Sequence, residues 1–173
     1  MSDTFITVIA IGLAAVLMFV FPLMTIADRT DDVAQLSVET ATTDFVDKIR
    51  STGKITQDEM DKYMETITST GNTYKCEMEV KVKDSNLGKK TTQAVADRTG
   101  DNAYYSVFDS QIEAELEKNG VYYCKEGDIV SAKVINTNQT VAQQFKNFFY
   151  TVTGNDAYTI AAEHAGVVTV NGK

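Results

Sequence analysis

Residues 4–27 read TFITVIAIGLAAVLMFVFPLMTIA, and this stretch decides the fold. It carries no charge and contains Pro22, the only proline of the chain. About 20 consecutive apolar residues cross a bilayer as a helix, so the run is long enough to span. Met1, Ser2 and Asp3 precede it without a Lys or Arg. Its apolar core exceeds the roughly 7–15 residues of a signal peptide, and Thr25-Ile26-Ala27 is a poor cleavage site. The segment is therefore read as retained, with residues 1–27 a transmembrane helix and residues 28–173, including the amphipathic half of the helix (28–50), the head domain. Arg29 is the one cation close to the span, so flanking charge says little about its direction.

The 173 residues leave room for that helix and one domain. The net charge is -8, and only Asp3 of the charged residues lies before residue 28. This balance argues against binding nucleic acid, which needs clustered Lys and Arg, and against docking on an anionic lipid surface. It reads as the solvated surface of a soluble head.

The helical pattern does not stop with the apolar run. No Gly or Pro occurs from Leu23 to Ser51, and Val33, Leu36, Val38, Ala41, Phe45, Val46 and Ile49 recur at helical spacing. One helix is predicted from about Asp3 to about Arg50, with Asp31 and Asp32 on its solvated face. Pro22 removes a backbone donor and should kink it. Gly12 allows another helix to approach closely.

Beyond it, Ser51-Thr52-Gly53 is a helix stop, and Thr56 with Glu59 is a capping box. The helix this opens runs to about Ser69 with Met60, Tyr63, Met64 and Ile67 on one face. Tyr74, Cys76, Met78, Val80 and Val82 alternate with charged residues, the surest strand signal present. Residues 84–102 read as a loop. Residues 103–108 read as a short strand or the approach to a helix. Ser110 with Glu113 is a second capping box, for a helix with Ile112 and Leu116 inward and Asn119-Gly120 at its end. Strands over 121–124 and 129–135 flank a turn at 126–128. A helix over 140–150 follows, and a last strand from Tyr158 or Val167 onward. The fold class is α+β: a long helix, hydrophobic then amphipathic, packed on a small antiparallel-sheet head.

Residues able to carry chemistry are few. Cys76 and Cys124 each follow a Tyr in a strand-like run. They form a disulfide if those strands are neighbours, which would place the head in an oxidising compartment; otherwise they are two buried thiols. His164 is the only histidine and reads as a surface residue. Nucleophilic catalysis needs a base oriented by a partner, and phosphate-binding or zinc motifs are missing. Residues 97–102 place oxygen ligands at alternate positions as calcium loops do, but Phe108 stands where such a loop needs Glu. Asn138-Gln139-Thr140 fits a glycosylation sequon. Tyr104-Tyr105 and Tyr122-Tyr123 read as strand packing or as exposed adhesive aromatics. No enzyme activity, cofactor or metal is expected.

The run VIAIGLAAVLMFVFPLM, with its proline toward the far end, resembles the N-terminal helix of the type IV pilin superfamily. STGKITQDEMDKYMETITSTGNTYKCEMEV, and VYYCKEGDIVSAKV followed by TVAQQFKNFF, resemble the TadE-like pilins and pseudopilins of Gram-positive bacteria. The resemblance implies a lollipop-shaped subunit, held in the cytoplasmic membrane and then packed with copies of itself into an extracellular filament by assembly machinery. It assigns Asp3, Phe5, Gly12 and Pro22 to assembly. Phe5 occupies the region where many pilins carry a Glu that pairs with a neighbour's N-terminal amine, and Asp3 is the nearest carboxylate to substitute. A subunit of this shape that never polymerises, in a secretion, conjugation or DNA-uptake apparatus, is the alternative. Adhesion, motility and DNA uptake all use this architecture, which does not fix the role.

Overall fold

The first helix, α1 (Ser2–Thr52), is 51 residues long and so about 76 Å at 1.5 Å per residue. The structure, a computed structural model, describes residues 2–84, 104–150 and 159–173. Pro22 lies inside α1 without ending it, because a proline costs one donor while the turns on either side keep theirs. The stop is Gly53, whose φ of 67° is left-handed and whose N–H donates to the Ile49 carbonyl at 2.8 Å.

After Gly53 come β1 (Lys54–Thr56), α2 (Gln57–Thr68), β2 (Tyr74–Lys83), β3 (Tyr104–Phe108) and α3 (Asp109–Asn119). Then follow β4 (Val121–Tyr123), β5 (Ile129–Asn136), α4 (Val141–Tyr150) and β6 (Ala161–Val167). β1 pairs antiparallel with β4. The other four strands form an antiparallel sheet in the order β3-β2-β5-β6. The molecule is thus α+β, a long N-terminal helix on a small antiparallel-sheet domain, as expected.

One sheet face supplies the core. Met78, Val80 and Val82 of β2, Val130, Ala132 and Val134 of β5, and Ala162 of β6 are buried. They meet Ala34, Val38, Phe45, Val46 and Ile49 of α1, with Tyr63 and Ile67 of α2 beside them. The other face carries Lys75, Glu77, Lys81, Lys133 and Glu163, exposed to water. This two-sided division is what the alternation in β2 encodes. Between α1 and α2 the Phe45 and Tyr63 rings stack 4.4 Å apart, and Thr42 Oγ1 lies 3.0 Å from Tyr63 Oη.

α1 is bolted to the edge strand β6 at both ends. Gln35 Nε2 donates to the Ala161 carbonyl at 2.7 Å, and the Ala161 N–H donates to Gln35 Oε1 at 3.0 Å. Fifteen residues on, Arg50 Nε donates to the Val167 carbonyl at 3.0 Å, and the Thr169 N–H donates to the Arg50 carbonyl at 3.0 Å. Residues 35–50 of a helix span about 22 Å and residues 161–167 of a strand about 20 Å, so helix and strand run side by side for one length. Gly166 leaves room for the Arg50 side chain to cross; a Cβ there would collide with it.

Several expectations are corrected. The buried stripe of α1 holds Val38, Phe45, Val46 and Ile49 as expected but not its first two members: Val33 and Leu36 are 68% and 65% exposed, while Asp31, Ala34 and Thr42 are buried. The reason is that α1 must face β6 along Gln35–Arg50, and that fixes its rotation. Asp31 is accordingly 5% exposed rather than solvated. α3 starts before Ser110: the Phe108 N–H donates to Gln111 Oε1 at 3.2 Å, so Gln111 and not Glu113 closes the turn. The last strand occupies Ala161–Val167, inside the stretch opened by the Tyr158 alternative and short of the C-terminus, and not from Val167 onward. β1 has too short a sequence signal to be read.

The expected disulfide is not formed, and Cys76 and Cys124 are free thiols. Cys76 lies on β2 opposite Val134 of β5. Cys124 follows β4 in the other sheet, where its N–H donates to the Gly53 carbonyl at 2.8 Å. The neighbouring Asp128, at the start of β5, lies six residues from Val134, about 20 Å along the strand. The two thiols thus sit at opposite ends of the head, beyond the roughly 7 Å between Cα atoms that a disulfide allows.

Candidate functional site

Residues 3–27 of α1 contain no buried position. An 18-residue window of the helix is long and apolar enough to cross a membrane, and among the described residues nothing buries it. Phe5 is 67% and Phe19 72% exposed. Nothing lies within 4 Å of where a Gly12 side chain would begin, so that face is open. Asp3 stands in the first helical turn, where a carboxylate is favoured by the free N–H groups. Thr7, Thr25 and Thr30 turn their hydroxyls back to the carbonyls of Asp3, Phe21 and Ile26, at 2.7, 3.0 and 3.0 Å. A hydroxyl spent on its own helix needs no water, which suits an apolar surrounding. Asp3, Phe5, Gly12 and Pro22 therefore lie along one helix and are not brought together into a pocket.

The shoulder where this helix enters the head was missed in the sequence. Thr140 Oγ1 donates to Asp31 Oδ2 at 2.6 Å, and both residues are buried. The Thr140 N–H donates to Gln143 Oε1 at 2.9 Å and the Gln143 N–H to Thr140 Oγ1 at 3.1 Å, a reciprocal capping box for α4. Thr-x-x-Gln was legible as a cap, but its link to a residue 109 positions away was not. Asn138 is engaged here too. Its Oδ1 accepts from the Thr73 N–H at 2.8 Å, and its Nδ2 donates to Asn72 Oδ1 at 3.0 Å. The sequon asparagine is thus a bracket between two turns of the head.

At the far end a cavity of about 620 Å³ lies among Tyr105, Glu115, Tyr122, Cys124, Asp128 and Lys173. Two of its groups, Asp128 and Cys124, are already committed. Both oxygens of Asp128 are occupied, by the Lys83 N–H at 3.0 Å and the Lys125 N–H at 2.7 Å. Burial, reinforced by Asp128, pushes the Cys124 thiol up to about 12. Burial likewise pushes Cys76 up to about 11. Neither is a thiolate at neutral pH, so neither is a ready nucleophile. His164 is part-buried on β6, with Nε2 3.6 Å from Asp47 Oδ1, which also accepts from Arg50 at 2.6 Å. That cluster ties β6 to α1. Among the described residues no group of three His, Cys, Asp or Glu side chains is placed to hold a metal ion. Residues 97–102 lie outside the described residues.

The arrangement among the described residues is that of an exposed apolar rod carried by a head in which Asp31, Asp128, Asn138 and Thr140 brace its own turns and elements. No protein-family model matches this chain, no curated protein matches it, and no solved structure matches its fold.

Proposed function

We propose that the chain is a structural subunit of an extracellular type IV pilus-like filament, held in the membrane by α1 and assembled through α1. One observation carries this reading. The apolar half of α1 is not buried by any of the described residues, yet it continues without a break into a half bolted along β6. An ordinary anchor needs only a tether to its domain. A rigid junction instead fixes the angle between apolar rod and head, which matters when many copies must repeat one geometry. An all-apolar helix exchanges lipid for like helices with little change in solvation, and association then rests on close packing. The exposed Val33 and Leu36 extend the apolar surface past the span, toward neighbouring copies.

Shearing intact cells tests the proposal. The expected result is intact chain in thin fibres in the supernatant; complete retention in membranes would favour the non-polymerising alternative. Gly12→Leu is expected to reduce the fibre fraction severely while leaving membrane insertion and head stability unchanged, because that position touches nothing within the subunit. Asp3→Ala is expected to lower fibre yield as well, and an unchanged yield would remove Asp3 from assembly.

A further inference from the structure

We infer that the cavity at the far end of the head is a binding site for a neutral saccharide, walled by Tyr105, Tyr122 and Tyr123. Such a site serves a filament subunit and a membrane-held one alike, so it does not depend on assembly through α1. The two Tyr-Tyr pairs of the sequence converge here. Tyr105 comes from β3, while Tyr122 and Tyr123 come from β4 in the other sheet. Tyr104 is left out: it stands opposite Lys83 on the outer sheet face, whereas Tyr105 stands opposite Val82 on the cavity side. At about 620 Å³ the cavity falls within the roughly 300–1,000 Å³ of small-molecule sites.

Tyr63 and Tyr74 spend their hydroxyls inside the head, 3.0 Å from Thr42 Oγ1 and 2.8 Å from Thr70 Oγ1. Those of Tyr105, Tyr122 and Tyr123 have no partner among the described residues. Burial pushes Tyr122 up to about 12, so its hydroxyl keeps the proton and can donate. The walls behind the rings are fixed. The Gly172 N–H donates to the Cys124 carbonyl at 3.1 Å and the Glu126 N–H to Asn171 Oδ1 at 3.0 Å. Asp128 holds two further backbone N–H groups, so a ligand meets a site already ordered.

The lining selects the ligand's chemistry. Glu115 and Asp128 balance Lys125 and Lys173 around the cavity. A phosphate or sulfate needs a surplus of cations, which this balance does not offer. A cationic ligand would need a tyrosine face, and Lys173 Nζ already stands 5.2 Å from the Tyr123 ring centroid. A wholly apolar ligand would strip water from the hydroxyls and return no hydrogen bond. A saccharide brings C–H faces for the rings and hydroxyls that both donate and accept. Asn171 Nδ2 and Glu115 Oε2, unbonded among the described residues, add one donor and one acceptor. The cavity also stands clear of the apolar run. Residues 27–52 of α1 span about 38 Å, and the Cys124 N–H joins the cavity wall to Gly53 at that helix's end.

The full chain, purified in a polyoxyethylene detergent so that no sugar headgroup competes, would be titrated with oligosaccharides. The neutral probes are β-1,4-linked N-acetylglucosamine oligomers, the chemistry of a cell-wall polymer, and galactose-terminated chains, the chemistry of another cell's surface. Sialylated and sulfated chains are the charged probes. At least one neutral class is expected to bind, and which one binds identifies the source. Tyr105→Ala and Tyr123→Ala are each expected to weaken that binding about tenfold, and Tyr104→Ala to leave it unchanged. The double variant Tyr105→Phe with Tyr122→Phe keeps both rings in place, and its loss of two hydroxyls should also weaken binding about tenfold. It decides the matter should an alanine variant fail to fold. No binding of either neutral class, binding of charged probes alone, or the same affinity in the double variant as in the native chain would each overturn the site.

Discussion

Single residues decide the junctions. Gly53 does two jobs: it takes the left-handed turn that ends α1, and it lets the C-terminal segment cross. A Cβ there would collide with the Val170 carbonyl and the Gly172 N–H, both backbone. Gly53→Ala is expected to cost more than about 2 kcal/mol, read from denaturant unfolding of the protein in detergent. The stop was legible from Ser51-Thr52-Gly53, but the collision was not, because its partners lie over a hundred residues away. The cysteines teach the same lesson. Their local settings are alike, so sequence invites a pair, while strand order separates them. With both thiols held protonated by burial, iodoacetamide is expected to label neither in the folded protein at neutral pH. Without reductant it should label both after unfolding; no labelling then would indicate a disulfide.

At the scale of elements, the docking of α1 against the head carries the stability. Ile49 is fully buried in that contact, and Ile49→Ala is expected to cost about 2–5 kcal/mol in the same unfolding measurement. Charge adds a pH dependence. Burial pushes the Glu59 carboxyl upward, but Lys48 at 3.1 Å and the Thr56 cap outweigh it and hold the group below its ordinary range. Arg50 does the same for Asp47 on the β6 side. A carboxyl depressed on folding stabilises above its unfolded pKa and loses that contribution as pH falls through the folded value. Unfolding midpoints are therefore expected to be flat near neutrality and to fall below about pH 4. Lys48→Met should flatten part of that fall. Existence and type of most elements were legible, since periods of two and of 3.6 are local. Where the buried stripe of α1 begins was not: Val33 and Leu36 are as apolar as Val38 and Ile49, and only the position of β6 chooses between them. Asp31 and Thr42, polar yet buried, are what that choice leaves on the inner stripe.

For the whole molecule, the lower half of α1 is an apolar rod and the upper half is an integral wall of the head. Continuity of that helix was readable from the absence of Gly and Pro between Leu23 and Ser51. Its fixed orientation was not, because Gln35 and Arg50 hold it through backbone groups of β6 that leave no mark in the sequence. Fixing a rod to a head suits repetition, so neighbouring copies should meet along the rod at constant register. Phe19 is exposed on it, and the native thiols, Cys124 buried and Cys76 half-buried, are held protonated at neutral pH and compete poorly in labelling. The most direct measurement is thiol cross-linking of Phe19→Cys on intact cells with a short bifunctional maleimide, followed by shearing. A ladder of dimers and higher multimers in the sheared fraction is the result this account requires. Monomer alone, all of it in the membrane fraction, would contradict it.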